Sequence, residues 1–382
     1  MSTESGEVRA QHTAADPHRV VAVTGVARGA GRALVERLAV RARSETGLRV
    51  VAIDARQVPL TPGAGDHVAW RAADVRSPSL AGRLGDVDTL VHLDDDRTLE
   101  RPAPERRRYN VRGVQTVLTA AAASRVRRVV LVTSTMVHGA HPDNPVPLPE
   151  TAPVPAESGP SLAGDFVEIE ELADVARRAH PGLRVSVVRP APLVGPDMDT
   201  LLTRHFAASR LLTVRGSAQH WQFCHEEDLA SALEHVIRTG VDGPQGALAV
   251  GCAGTLDHPQ VEGITQRRSF ELPANLIFGT NQRLHRMGVT PVPAADLRFL
   301  VYPCVVDCQT LRANGWEPAF DNEAALRELL PAHGETAPAG RELGSRDGTT
   351  ATITAAGAAG AAAAVMGTAA AVRHLRKRRR DS

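Results

Sequence analysis

The sequence predicts a doubly wound α/β fold, in which helices cover both faces of a parallel β-sheet. Short apolar runs alternate with helical stretches, beginning with RVVAVTG at 19–25 and the amphipathic segment GRALVERLAVRAR that follows it. Further apolar runs end at Asp54, Asp94 and Thr135, and LRVSVVRP at 183–190 supplies another. Strands and helices that alternate at this spacing imply right-handed crossovers, and such crossovers build a parallel sheet.

Length and composition predict one large domain, a smaller lobe and two terminal segments. The 382 residues suffice for this arrangement, and 43% hydrophobic with 23% charged residues is an ordinary globular composition. We predict a loose leader at 1–18, a nucleotide-binding Rossmann domain at 19–253, a lobe over the carboxyl edge of the sheet at 254–330 and an Ala/Gly-rich tail at 331–382. The formal net charge of +1 gives no electrostatic argument for a nucleic-acid partner, so none is predicted.

The terminal segments and the cysteines bear on location and metal binding. The leader is polar and has no apolar core of signal-peptide length, which favours a cytoplasmic protein. In the tail, residues 349–372 carry no charge, and the basic run RHLRKRRR follows them. Their length permits a membrane span, while a helix lying on anionic lipid and a flexible tail are the alternatives. The four cysteines are too few and too scattered for a disulfide framework, and no metal site is predicted.

A glycine-rich loop between the first strand and the first helix predicts a dinucleotide site. The segment VAVTGVARGAGRAL places Thr24, Gly25, Gly29 and Gly31 there. Glycines let the turn tighten and let the backbone approach a pyrophosphate, which binds at the helix N-terminus. Asp54 closes the second strand, where an acidic residue accepts hydrogen bonds from the ribose 2′-hydroxyl and repels a 2′-phosphate. NAD is therefore favoured over NADP.

Several motifs in order resemble those of a known family. They are TGVARGAG, Asp74-Val75, NVRGVQTVL, VTSTMVHGA, VVRPAPLVGP, FCHEEDLASAL and VVDCQTLRANGWEPAF. Over 19–330 the chain resembles an extended short-chain dehydrogenase/reductase of the NAD-dependent epimerase/dehydratase family, of the UDP-glucose 4-epimerase type. The resemblance implies a nucleotide-sugar partner, a homodimer through the helices flanking the serine strand, and Ser134 as the catalytic serine. The residues predicted to bind the cofactor are Thr24, Gly25, Arg28, Gly29, Gly31, Asp54, Asp74, Val75, Leu93, Thr133 and Pro190.

The proton relay of that family is missing. In the family a tyrosine and a lysine four residues later move the proton and hold the nicotinamide ribose, and alignment puts Leu162 and Phe166 at their positions. A shift of the alignment does not restore the pair, since no tyrosine lies between Tyr109 and Tyr302 and the only lysine is Lys377. The sequence therefore predicts a protein that is catalytically impaired or atypical.

Four nearby side chains are candidates to substitute for the relay. They are Asp165, Glu168, His138 and His141, and a structural or solvated role is favoured for each because a general base needs both geometry and a tuned pKa.

A second departure is the acidic run Asp94 to Asp96, where the family has small residues. We interpret it as an outward, solvated loop, with Arg97 or the arginines at 106–108 as its partners. An inward orientation would oppose a pyrophosphate.

Three hypotheses about function follow from these patterns. The first is an NAD-binding member of the family that acts as a sensor, scaffold or regulator. The second is a working nucleotide-sugar epimerase or dehydratase that uses Ser134 with a substitute acid or base. The third is a membrane-associated partner protein that has lost the cofactor. Resemblance of fold does not choose among them.

Overall fold

A computed structural model describes most of the chain between its two terminal segments. The described ranges are 19–99, 101–154, 159–196, 198–287, 290 and 292–330. The leader at 1–18 and the tail at 331–382 lie outside the described residues, and so do the predictions made for them. In the described ranges, no helix combines the length and the apolar character that crossing a bilayer requires.

The predicted parallel sheet is present and contains seven of the thirteen strands in the described residues. The strands are β1 (Arg19–Thr24), β2 (Leu48–Asp54), β3 (Val68–Ala72), β4 (Thr89–His92), β5 (Arg128–Val132), β6 (Arg184–Pro190), β7 (Leu193–Val194), β8 (Leu211–Val214), β9 (His220–Trp221), β10 (Cys224–His225), β11 (Ala247–Val250), β12 (Leu256–Asp257) and β13 (Ser269–Leu272). The sheet order is β3-β2-β1-β4-β5-β6-β11, and every neighbouring pair is parallel. The order reverses between β1 and β4, and that is where an open α/β sheet forms a ligand crevice.

Helices cover both faces of this sheet. The helices are α1 (Gly29–Ala42), α2 (Ala103–Ala123), α3 (Leu162–Ala179), α4 (Leu201–Ala207), α5 (Glu226–Thr239), α6 (His258–Thr265), α7 (Ala274–Arg286), α8 (Ala294–Val301), α9 (Gln309–Ala313) and α10 (Asn322–Glu328). Helices α2 and α3 pack in one core with Val20 and Ala22 of β1, whereas α1 and α5 pack in another with Val21 and Val23. Successive side chains of β1 point to opposite faces, so both faces must be apolar, and this accounts for the unbroken apolar run.

A third core lies in the region beyond β6. Phe206, Trp221 and Phe223 pack there with Leu297 and Leu326. Strand β8, from before residue 254, pairs with β13, from after it. The lobe that we predicted at 254–330 therefore shares its core with residues that precede it.

Candidate functional site

The glycine loop is held by contacts that only glycine allows. Gly25 has φ +71°, and a Cβ added there would lie 2.6 Å from the backbone carbon of Leu93. A Cβ on Gly31 would lie 2.2 Å from the carbonyl oxygen of Gly25. The Thr24 hydroxyl accepts a hydrogen bond from the Leu93 N–H at 3.2 Å and is 2.8 Å from Nδ1 of His92. The structure thus brings four predicted cofactor residues together at the end of β1.

At the start of α1 a carboxylate lies beside the loop. Arg28 is extended at the N-cap and exposed, and Gly29 follows it with φ +56°. A Cβ added to Gly29 would lie 3.1 Å from Oε2 of Glu226, and one added to Gly195 would lie 2.4 Å from the same oxygen. A helix N-terminus favours anions, so this carboxylate lies where a pyrophosphate would bind. We did not predict from the sequence that Glu226 lies beside the glycine loop. The acidic run EED at the start of α5 was its only signal.

Asp54 is placed as expected at the end of β2. Its carboxylate accepts hydrogen bonds from the N–H groups of Ala27, at 3.1 Å, and Arg56, at 3.3 Å. The Ala27 bond ties the acidic residue to the glycine loop. The residue predicted to bind the ribose therefore lies next to the loop predicted to bind the pyrophosphate.

The predicted adenine pair follows β3, next to Asp54, whose carbonyl accepts a hydrogen bond from the Ala73 N–H at 3.1 Å. Asp74 accepts a hydrogen bond from the Arg76 N–H at 2.9 Å and forms an ion pair with its guanidinium at 2.8 Å. Partial burial alone would raise the pKa of Asp74, but these bonds lower it. Arg76 also stacks on the ring of Tyr109, 3.8 Å from its centroid. Val75 is buried in the core, so only its backbone is left for a ligand.

The acidic run after β4 is paired rather than solvated. The Tyr109 hydroxyl donates to Asp94 at 2.8 Å, and burial together with this carboxylate raises the pKa of Tyr109. Asp96 is only 5% exposed, accepts from Arg101 at 2.6 Å, and its backbone N–H donates to Asn110 at 2.8 Å. Our interpretation of a solvated loop is therefore wrong for Asp96, because the Asn110 amide holds that segment inward.

The arginine partners of the run differ in part from those predicted. Arg97 pairs with Asp95 at 2.6 Å, as predicted. Arg106 pairs with Asp165 instead, at 2.8 Å, inside the α2–α3 contact.

Ser134 lies buried at the end of β5, at the carboxyl edge. Its hydroxyl accepts a hydrogen bond from the Met136 N–H at 3.2 Å and donates to the Pro190 carbonyl at 3.3 Å. The neighbouring Thr133 hydroxyl donates to Glu170 at 2.8 Å. The structure therefore brings the predicted site residues Thr133, Ser134 and Pro190 together. No carboxylate or imidazole of the described residues hydrogen-bonds to the serine.

The orientation of α3 is fixed by an ion pair in its middle. Glu170 receives hydrogen bonds from the Arg189 guanidinium at 2.6 and 3.0 Å, in addition to the Thr133 hydroxyl. Leu162, Phe166 and Glu170 are spaced four residues apart and so share one face of the helix. The face anchored by Glu170 is therefore the one that carries Leu162 and Phe166, the residues aligned with the family's tyrosine and lysine.

A cation lies against Phe166. The Arg97 guanidinium is 4.7 Å from the centroid of the Phe166 ring, and its Nη2 donates to the Thr133 carbonyl at 2.8 Å. Arg97 comes from the loop after β4, and we predicted it only as a partner of the acidic run. A helical pattern in α3 could not reveal it.

The substitutes that we weighed are engaged elsewhere. Asp165 and Glu168 pair with arginines of α2. His138 lies 3.4 Å from Arg189 and from the Pro153 carbonyl, and burial lowers its pKa, so the imidazole is neutral at pH 7. His141 is the fourth candidate, and no hydrogen bond links it to Ser134.

One carboxylate near α3 was missed. Asp296 of α8 accepts hydrogen bonds from the Leu162 N–H at 3.1 and 3.2 Å. Burial raises the pKa of Asp296 to about 6. An acid of this pKa therefore meets the helix at Leu162, the residue aligned with the family's tyrosine.

Solved structures share this fold over most of the chain. UDP-glucose 4-epimerase of Thermotoga maritima, with UDP-glucose, has a TM-score of 0.59 at 15% identity, covering 81% of this chain and 97% of that one. The Bifidobacterium longum enzyme, with NAD+ and UDP, has a TM-score of 0.60 at 15% identity and the same coverage. MoeE5, with UDP-glucuronic acid and NAD, has a TM-score of 0.59 at 22% identity, covering 81% and 96%. At such low identity, the structural similarity is evidence for the fold alone, and it confirms the predicted fold class.

Relatives and a family model extend the comparison to sequence. An uncharacterized protein of Mycobacterium tuberculosis (strain ATCC 25618 / H37Rv) is 28% identical over 328 residues, which cover 83% of this chain and 85% of that protein. The model of the NAD dependent epimerase/dehydratase family matches residues 21–251, more than half of the chain. The family predicted from the motifs is thereby confirmed, and the chain belongs to the NAD-dependent epimerase/dehydratase family.

Proposed function

We propose that the protein binds NAD in the cleft between β1 and β4 and acts as a cofactor-dependent binding or regulatory protein, without the proton relay of its family. The observation that carries this is the orientation of α3. The Glu170–Arg189 pair fixes the helix face that carries Leu162 and Phe166, the residues that we align with the tyrosine and the lysine. Neither side chain can accept or donate a proton, and general acid–base help is worth about 10²–10⁴-fold in rate.

The parts of the cleft that recognise a dinucleotide support the cofactor. The glycine contacts, the Asp54 carboxylate beside the loop and the family itself favour NAD. Asp54 also disfavours the 2′-phosphate of NADP, which would meet a like charge. Arg28 is exposed at the same turn and is the one cation of the loop that favours NADP.

The neighbours suggest the class of the second ligand. The epimerases and MoeE5 were solved with UDP-sugars or with UDP. A nucleotide sugar is therefore the first molecule to test alongside the cofactor. Binding does not require the relay, so recognition of a sugar nucleotide is compatible with its loss.

Calorimetric titration tests the cofactor. We expect NAD to bind and NADP to bind more weakly, by the argument from Asp54. Folded protein that releases no heat with either nucleotide would favour a partner protein that has lost its cofactor, and would contradict the proposal.

Incubation with UDP-glucose and NAD, followed by sugar analysis, tests for chemistry. We expect no epimerised or dehydrated product. Product that disappears in Ser134→Ala would instead establish an enzyme with a rewired proton path.

One observation favours that second candidate, a working epimerase or dehydratase. The Asp296 carboxyl, with a pKa of about 6, hydrogen-bonds to the backbone of Leu162. A pKa near the working pH suits a general acid or base. If Asp296 is the substitute, any sugar product will also disappear in Asp296→Asn, with NAD binding retained.

A further inference from the structure

A positive charge lies beside the position in α3 that aligns with the family's lysine. The Arg97 guanidinium stacks over Phe166, the residue assigned to the lysine position, at 4.7 Å from the ring centroid. Arg97 belongs to the loop between β4 and α2, about 70 residues before α3 in the chain. A cation from a different element of the fold therefore lies on the side of α3 that carries Phe166.

Three bonds orient this side chain. Its Nε donates to Asp95 at 3.1 Å, and its Nη2 pairs with Asp95 at 2.6 Å and donates to the Thr133 carbonyl at 2.8 Å. Thr133 lies between the end of β5 and Ser134, so the guanidinium lies at the end of the cleft formed by Ser134 and α3, which we call the relay end. No acceptor among the described residues bonds to Nη1, and 12% of the side chain is exposed. An arginine has five N–H donors, so this arrangement leaves the two N–H groups of Nη1 for a ligand.

The charge of Arg97 also acts on a neighbouring pair of strands. Burial raises the pKa of the Cys224 thiol well above its ordinary value, and the charge of Arg97 opposes this rise. Cys224 belongs to β10, which pairs with β7 beyond the end of β6.

We propose that Arg97 binds the hydroxyl groups of the nicotinamide-side ribose and so holds the cofactor in place of the absent lysine. This inference rests on the proposed NAD binding and assigns a residue to it. The two N–H groups of Nη1 can each donate to a hydroxyl oxygen, and the charge of the guanidinium strengthens such bonds. The family lysine also activates a tyrosine, whereas no hydrogen bond or ring contact joins Arg97 to a tyrosine in the described part of the chain. Ribose binding is thereby separated from proton transfer.

Truncated ligands test the assignment. The full chain, as wild type, Arg97→Gln and Arg97→Lys, would be titrated with NAD, ADP-ribose and ADP. ADP lacks the second ribose, whereas ADP-ribose keeps it without the nicotinamide. In Arg97→Gln we expect the Kd for NAD and for ADP-ribose to rise about tenfold to a hundredfold, the usual range for a hydrogen bond from a charged group, with the Kd for ADP unchanged. Arg97→Lys should fall between, because it keeps the charge and loses the fork.

Arg107→Gln is the matched control. Arg107 pairs with Glu168 on a more exposed side of the α2–α3 contact, and its removal should leave all three Kd values unchanged. Equal weakening of NAD and ADP in Arg97→Gln, or no change in either, would overturn the assignment. A wild-type protein that binds ADP but not NAD would also overturn it, whereas one that binds none of the three would overturn the proposed function itself.

Thermal unfolding without ligand tests whether a lysine ammonium at position 166 and the Arg97 guanidinium compete for the same space. Phe166→Lys places an ammonium under the Arg97 guanidinium, in a position with no exposed surface. We expect Tm to fall by about 5 °C or more in the wild-type background and by clearly less when Arg97→Gln is also present. The same fall in both backgrounds would show that the two side chains do not share this space, and would overturn the proposal.

Discussion

The two ends of the cleft keep different parts of the same design. At the glycine-loop end, Gly25, Gly31 and Asp54 form the contacts that a dinucleotide site needs. At the relay end, the face of α3 that Glu170 anchors carries Leu162 and Phe166, two side chains without a titratable group. The difference teaches that one end of the cleft depends on backbone contacts and the other on side-chain chemistry. Four predictions, from the largest expected effect to the smallest, would break or sharpen this comparison.

The relay end should depend most on its buried ion pair. Glu170→Ala leaves the Arg189 guanidinium without its carboxylate and the Thr133 hydroxyl without its acceptor. We expect the free energy of unfolding to fall by about 3 kcal/mol or more, measured by denaturant titration. Glu171→Ala, at the exposed neighbouring position, should change it by less than about 0.5 kcal/mol. Similar values for the two variants would show that this pair does not hold α3.

Asp296 should make stability depend on pH at the start of α3. Its pKa is about 6 in the folded protein, above the value of about 3.9 expected when unfolded, so the folded state binds the proton more tightly. Its contribution is therefore fully present below about pH 4, falls as the pH rises, and is lost above about pH 6. The total is about 3 kcal/mol, since one pKa unit corresponds to about 1.4 kcal/mol. Asp296→Asn should remove this part of the slope in unfolding curves taken from pH 4 to 7, and an unchanged slope would contradict it.

At the glycine-loop end, one methyl group should be enough to disturb the backbone. Gly25→Ala adds a Cβ 2.6 Å from the Leu93 backbone at a positive φ. We expect a loss of about 2 kcal/mol in the free energy of unfolding, and weaker NAD binding by calorimetry. Gly82→Ala is the control, because a Cβ there meets no atom within 4 Å. If Gly25→Ala behaves like the control, the loop tolerates side chains and its glycines are no sign of a cofactor.

The smallest effect concerns the carboxylate beside α1. Glu226→Gln removes a negative charge next to Gly29, where the pyrophosphate is expected. We expect NAD to bind about threefold to tenfold more tightly, because like charges no longer meet at the helix N-terminus. Glu227→Gln, at the exposed neighbouring position, should leave the Kd unchanged. Weaker binding in Glu226→Gln would show that the carboxylate supports the site.

Local patterns predicted the sheet and the glycine loop, but they did not predict the partners that meet in the cleft. The apolar runs ending at Asp54 and Asp94 carry the strand signal within a few residues, so period and turn chemistry suffice. Arg97, Glu226 and Asp296 come from a loop, from the start of α5 and from α8, and none of these segments signals what its side chain touches. The inward position of Asp96 was missed for the same reason, since Asn110, on α2, holds it there.

The sequence by itself determined the family, the parallel sheet and the absence of a tyrosine–lysine pair, since the only lysine is Lys377. The family follows from the resemblance of motifs, the sheet from short-range periodicity and the missing pair from composition, and none of these requires knowledge of distant contacts. Tertiary structure alone decided that Arg97 covers Phe166 and that Glu226 lies beside Gly29. Such contacts join residues that are far apart in the chain, and they depend on how helices and loops pack around the sheet.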